Sequence, residues 1–295
     1  MPTSIIQWFP GHMAKTRRLI TENLSEVDMV IELLDARIPQ SSKNPEIERL
    51  TKDKPKLTLL NKADIADREV SLAWKKRYEN AGRACILFDC TKGTGAKELK
   101  AAVSEMLSDK LRRYAEKGMT GRRVRAMVLG IPNVGKSSLI NRLSGGKSAK
   151  AENRPGVTLT KQWVSAPAAG LELLDMPGVL WPKFEDRIVG ENLSITGAIK
   201  DDVVEIEAVA VALCSRLMAR YPRLLQERYK LQGTDLSALE DYEVFRMIGR
   251  KRGFLVSGGE IDETRTAKML LDEFSSMKIG AISLETPPGE ETKPC

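Results

Sequence analysis

The chain has 295 residues, 42% hydrophobic and 29% charged, with a formal net charge of +7. It can bury one large core or two of ordinary size, and its basic excess suits a polyanionic partner without identifying one. Its four cysteines form no C-x-x-C pair and have no partnering histidine, which argues against a zinc site or a disulfide framework and for a reducing, cytoplasmic setting. No apolar run approaches the roughly 18 residues of a membrane span, and the N-terminus lacks the apolar core of a signal peptide.

In chain order, IIQWFPGHMAK (5–15) carries the only histidine, His12, on a Pro-Gly turn ahead of a helical pattern at 13–24. Apolar, β-rich runs follow at 28–36, 55–61, 84–90, 125–130, 161–166 and 171–178, with helical periodicity between the earlier ones at 69–82, 95–117 and 136–145. This alternation predicts an α/β fold, a mostly parallel sheet with helices on both faces, and an antiparallel hairpin of 161–175 on its edge. After about residue 190 the texture changes. Helical patterns at 201–222, 236–253 and 262–277 are separated by Gly, Pro and Asp breaks, and no convincing strand remains. The expected division is an α/β domain over 1–190, a small all-helical domain over 195–283 and a disordered tail over 284–295.

GIPNVGKSS (130–138) matches G-x-x-x-x-G-K-[ST] between an apolar strand and a helix, the context that a phosphate loop requires. Asn133, Val134, Gly135, Lys136, Ser137 and Ser138 then form the cradle, with backbone N–H groups and a helix N-terminus facing the phosphates. Lys136 reaches the β- and γ-phosphates, and the Ser137 hydroxyl binds Mg²⁺. In LLNKADI (59–65), the pattern N-K-x-D comprises Asn61, Lys62, Ala63 and Asp64. A carboxylate can accept from both the ring N–H and the exocyclic amine of guanine, a donor pair that adenine lacks, so Asp64 selects GTP over ATP. Asn61 ties this loop to the phosphate loop, and the Lys62 stem covers the base face. FDCTKGTG (88–95) ends another strand; Asp89 and Cys90 join the expected nucleotide contacts, Cys90–Thr91–Lys92 standing where GTPases carry a Ser-Ala-Lys loop. Thr158 in RPGVTLT (154–160) and Asp175 in LLDMPGVL (173–180) are the further Mg²⁺ residues, and the Gly178 N–H is placed to meet the γ-phosphate.

The order of these motifs is rotated. In Ras-type enzymes the phosphate loop comes first; here N-K-x-D precedes it and D-M-P-G comes last, so the fold expected is a circularly permuted P-loop GTPase domain followed by helices. Ends lie at the surface, so a sheet can be cut at one loop and rejoined at another without losing its contacts. The segment after Asp175 then leads straight into the helical domain, which nucleotide state can tilt. The position that carries a water-orienting glutamine in Ras-type enzymes is Val179, which cannot hydrogen-bond a water. Another group is needed at the γ-phosphate. His12 is a candidate, because imidazole can orient or deprotonate a water near neutral pH; the alternative is a helix-capping or rRNA-contacting histidine.

The permuted order, with WFPGHMAK (8–15), DARIP (35–39), NKAD, GIPNVGKSS, RPGVT and DMPGVLWP (175–182), resembles the YlqF-type ribosome biogenesis GTPases over nearly the whole chain, including TAKMLLDEF (266–274). The resemblance implies a cytoplasmic GTPase; the cofactors expected are GTP/GDP and Mg²⁺, and the expected state is a monomer. It implies binding to the large ribosomal subunit and its rRNA late in assembly, and departure after hydrolysis. It adds support for His12 as a water-positioning group. In related GTPases an asparagine at the place of Asn133 helps to hold K⁺; the alternative here is a plain turn residue. The basic stretches 110–125 and 249–253 could contact rRNA phosphates. A GTP-dependent RNA-binding adaptor with incidental hydrolysis is the competing reading.

Overall fold

The computed structural model describes residues 10–119, 121–146, 162–181, 184, 186–199 and 204–289. Among these residues six strands form one sheet: β1 (Met29–Asp35), β2 (Lys56–Asn61), β3 (Ala84–Leu87), β4 (Val124–Gly130), β5 (Gln162–Ala166) and β6 (Leu171–Asp175). Their spatial order is β3-β2-β1-β4-β6-β5; β5 runs antiparallel to β6 at the edge, as the sequence predicts, and the others are parallel. All seven residues of β1 are buried, the expected state of a central strand covered on both faces. Met29, Ile31 and Leu33 point into one apolar cluster and Val30 into another, following the two-residue period of a strand.

Among the described residues seven α-helices cover or flank the sheet: α1 (Pro10–Asn23), α2 (Pro45–Leu50), α3 (Arg68–Asn80), α4 (Ala96–Met106), α5 (Ser108–Glu116), α6 (Lys136–Ser144) and α7 (Arg187–Ile195). Ile20 of α1 and Ile47 of α2 pack on Val30, Met127 and Leu129, whereas Val70 and Trp74 of α3 pack on Leu34 and Leu60. The opposite face receives Leu99 and Val103 of α4 with Leu139, Ile140 and Leu143 of α6. The Asp67 carboxylate caps α3 by accepting from the N–H groups of Glu69 (2.9 Å) and Val70 (3.1 Å). The single helix predicted over 95–117 is two. The chain bends at buried Leu107, and the bend brings Lys110 and Tyr114 of α5 to the Asp28 carboxylate beside β1.

Beyond residue 204 lie α8 (Ile206–Arg220), α9 (Pro222–Tyr229), α10 (Asp241–Lys251) and α11 (Glu263–Ser275). Leu213 and Leu217 of α8 meet Val244, Phe245 and Ile248 of α10 and Leu270 and Phe274 of α11, and this apolar cluster is continuous with one face of the sheet. Buried Glu273 holds α9 and α10 to α11. It accepts two hydrogen bonds from Arg228 (2.9 and 2.6 Å), one from the Tyr229 hydroxyl (2.9 Å) and a contact from Arg252 (3.1 Å). These donors keep its carboxyl below the usual range against the opposing effect of burial.

The tail expected from residue 284 is corrected for its described part. After α11 the chain returns to the sheet as a strap: the N–H of Ile282 donates to Ile65 O (3.2 Å) and that of Leu284 to Arg37 O (2.8 Å). The Glu285 carboxylate accepts from the N–H groups of Gln40 (2.7 Å) and Ser41 (3.1 Å), the Ser41 hydroxyl and the Asn192 amide (2.9 Å). Burial pushes its pKa up while these neutral donors act against the rise. Residues 290–295 lie outside the described structure. Glu285→Ala leaves those donors without their acceptor and is expected to cost about 2–3 kcal/mol in a denaturant titration, with Glu285→Gln costing less.

Candidate nucleotide site

Asp35, Asn61, Gly130 and Asp175 close four parallel strands, so all four lie at the carboxyl-end side of the sheet. Chain order runs outward from β1 through β2 to β3, then outward on the other side from β4 to β6. The direction reverses between β1 and β4, the place where open α/β sheets bind ligands.

The phosphate loop leaves β4 at Gly130 and enters α6 at Lys136. Gly135 has a left-handed backbone, φ +103°, and a Cβ there would lie 2.4 Å from Asn61 Nδ2, so glycine is required on both counts. The Lys136 ammonium is buried and donates to the carbonyls of Gly130 (3.2 Å) and Ile131 (2.9 Å). Burial pulls its pKa down from 10.5 to about 8, with the Asp175 charge acting the other way. A cation this costly to bury fits a site for an anion. Gly178 closes the opposite wall: a Cβ there would lie 2.8 Å from the Pro132 backbone and 3.0 Å from Lys136 Nζ. Ser137 in the first turn of α6 and buried Asp175 at the end of β6 supply hard oxygen donors, which suit Mg²⁺ rather than a soft metal. Thr158 lies outside the described residues.

Asn61 joins three loops, as the sequence predicts for two of them. Its amide donates to Val134 O (2.7 Å) in the phosphate loop, and its Oδ1 accepts from the N–H of Cys90 (3.2 Å). Ala63 N–H donates to Phe88 O (3.2 Å), fixing the loop that carries Asp64 against the end of β3. The Asp64 carboxylate is 26% exposed and 4.0 Å from the Lys92 ammonium. Asp89 is buried, and its Oδ1 accepts from the N–H groups of Thr91 (2.7 Å) and Lys92 (3.1 Å), so that oxygen shapes its own loop. Cys90 is also buried; burial pushes its thiol up to about 12, and its Sγ–H donates weakly to Gly135 O (3.8 Å) in the phosphate loop.

Asn133 has φ +59°, a conformation that asparagine tolerates, and its amide donates to Gly197 O (3.3 Å) just beyond α7. Val179 is buried; its N–H donates to Gly130 O (3.2 Å) and its carbonyl accepts from the Asn44 amide (2.9 Å). Its side chain therefore belongs to the core. The helix expected from residue 13 starts earlier, at Pro10, because proline suits a first helical turn. The backbone of His12 is thus in that turn rather than on a separate one; its side chain, like Trp8 and Phe9, lies outside the described residues. Sequence reasoning missed Asp35 and Arg37, noting their motif only as a mark of resemblance. Asp35 sits in register with Asn61, and its carboxylate holds the Lys62 ammonium at 3.0 Å. An aspartate ending the apolar strand before the one that ends in N-K-x-D was the available signal.

A G-x-x-x-x-G-K-S loop, an N-K-x-D loop and a D-x-P-G loop gathered at the carboxyl ends of the strands of a mostly parallel sheet, in rotated chain order, define a circularly permuted P-loop GTPase. The family model for the 50S ribosome-binding GTPase matches residues 125–227. Ribosome biogenesis GTPase A of Bacillus licheniformis is 47% identical over 285 residues, covering 96% of this chain and 99% of the relative. The protein of the same name from Priestia megaterium is 46% identical, covering 96% and 97%. The crystal structure of GNP-bound YlqF from T. maritima superposes with a TM-score of 0.61 at 25% identity, covering 93% of this chain and 99% of that one. The chain belongs to the ribosome biogenesis GTPase A family.

Proposed function

We propose that this GTPase acts as a switch in assembly of the large ribosomal subunit, binding the subunit and its rRNA with GTP and leaving after hydrolysis. The burial of Val179 carries the mechanistic part of this reading. The residue after Gly178 is packed into the core and tethered at both its N–H and its carbonyl, so it cannot orient a water. Intrinsic turnover is then slow, and a docked partner completes the site by bringing in another group. His12 is that group in this proposal, on the first turn of a helix beside the sheet. Lys136 neutralises charge on the β- and γ-phosphates, Ser137, Thr158 and Asp175 serve Mg²⁺, and Gly178 N–H faces the γ-phosphate. Held by those three residues, Mg²⁺ would supply charge neutralisation for the phosphates. Asn133, whose amide donates to Gly197 O, is in this proposal the residue that would help to hold K⁺ beside the phosphates.

The names of the relatives motivate the ribosomal partner, and the basic surface supports it with one revision. Arg252 is turned inward onto Glu273, and Lys110 and Arg125 pair with Asp28 and Glu172. Exposed Arg113, Lys117, Arg250 and Lys251 are therefore the proposed phosphate contacts. The helices over 195–283 form the ribosome-facing part in this reading, and the protein works as a cytoplasmic monomer. Among the described residues no helix is long and apolar enough to cross a membrane.

The test is GTP turnover in K⁺ buffer, with and without purified large subunits, for the wild type and His12→Ala. The expected result is a large stimulation of the wild type that falls about 100-fold or more in the variant while subunit binding persists. Stimulation surviving in both makes His12 structural; none in either favours the adaptor reading.

A further inference from the structure

The Asp35 carboxylate is 2% exposed and carries two cations. Arg37 binds it in bidentate fashion through Nε (2.9 Å) and Nη2 (2.8 Å), and the Arg37 N–H adds a third bond at 3.0 Å. The guanidinium is itself buried and stands 5.0 Å from the centre of the Phe274 ring. Arg37 alone therefore satisfies the charge of Asp35 and fixes its direction. The second cation is the Lys62 ammonium, at 3.0 Å. A surface lysine ordinarily leaves its ammonium in water and rests its stem on the protein. Lys62 does the reverse with its head: the ammonium is committed to an interior carboxylate, and the backbone takes φ +62°, a costly conformation for this residue. Backbone bonds hold it from both sides, Ala36 N–H to Asn61 O (2.8 Å) and Ala63 N–H to Phe88 O (3.2 Å). Such an arrangement is retained where the position of the stem matters.

We infer that Asp35, aimed by Arg37, is a positioning residue for nucleotide binding: it anchors the Lys62 ammonium so that the stem forms a preset wall for the face of the purine. This rests on the reading of residues 61–64 as the base site. Asp35 touches neither the base edge nor the phosphates in this scheme. Its removal weakens GDP and GTP alike and leaves the preference for guanine over xanthine in place.

Binding of fluorescent GDP and GTP is measured for Asp35→Asn, Lys62→Met and the double variant, with steady-state turnover of Asp35→Asn. The expected loss is about ten-fold in affinity for each single variant, the order of freeing one preorganised side chain, and no further loss in the double variant. For Asp35→Asn, KM rises by a similar factor while kcat changes less than two-fold. Losses that multiply in the double variant overturn the inference, as does a fall in kcat without a change in KM. Lys62→Met leaves the Asp35–Arg37 pair intact, so unchanged GDP affinity in that variant overturns it even if Asp35→Asn fails to fold. The control is Asp64→Asn. If that variant moves towards xanthine nucleotides while Asp35→Asn binds as tightly as the wild type, the Asp35 inference alone falls; if Asp64→Asn changes nothing, the base-site reading falls first.

Discussion

Asp64→Asn is expected to lower affinity for guanine nucleotides by about 10³-fold or more and to raise affinity for xanthine nucleotides. A carboxylate can accept from two donors on guanine, whereas an amide can accept from only one while setting its own N–H₂ against the other. Sites built around buried hydrogen bonds reject a mismatched partner far more strongly than apolar pockets do. Xanthine carries a carbonyl where guanine carries the exocyclic amine, so it complements the amide. The backbone around residue 64 is pinned independently, by Ala63 N–H on Phe88 O and by Asn61 on Val134 O, so the exchange is confined to one side chain. Titrations with fluorescent GDP and XDP measure it. Equal GDP affinity in variant and wild type would remove Asp64 from the base contact.

Lys136→Met is expected to abolish GTP turnover, by at least about 10³-fold, while making the nucleotide-free protein more stable. Lowering the pKa from 10.5 to about 8 means that holding this ammonium charged inside the fold costs about 3 kcal/mol, the Asp175 attraction included. Methionine keeps a flexible stem of similar shape without the charge. Part of the gain is returned because Ile131 O loses its donor; Gly130 O still accepts from Val179 N–H. A rise of about 2–4 °C in melting temperature per kcal/mol retained is the expected reading in the absence of nucleotide. In the wild type the unfolded chain binds the proton more tightly, so Lys136 makes stability increase with pH between about 8 and 10.5, and the variant lacks that increment. A lower melting temperature for the empty variant would mean that the lysine bonds outweigh its desolvation.

The parts of the site legible in the sequence are those whose chemistry is local. A phosphate loop is a run of nine residues between a strand and a helix, and its glycines are set by its own backbone and its nearest contact, as at Gly135. The parallel sheet was legible for a similar reason: β1 and β4 are mostly apolar and β2 carries three leucines, as strands buried on both faces require. What was not legible depends on partners far away in the chain. Glu285 begins a stretch rich in proline, glycine and charge, the composition of a loose tail, yet its donors are at residues 40, 41 and 192. Asp35 and Arg37 read as an ordinary strand end until the sheet register sets Asp35 beside Asn61. The bend at Leu107 sets Lys110 and Tyr114 against Asp28, long-range contacts invisible to helical periodicity.

The strap also changes the mechanics of the helical half. The chain enters that half through α7, whose Asn192 amide meets the Ser41 hydroxyl at 3.2 Å, and leaves it through Glu285, which binds the same Ser41. Entry and exit are thus fastened to one post. The helical half is therefore a closed loop on the sheet rather than a free arm, with both of its connections and its apolar cluster held there. Gly197, which receives the Asn133 amide of the phosphate loop, lies only five residues beyond Asn192, so the phosphate loop touches the chain close to the point where that loop is closed.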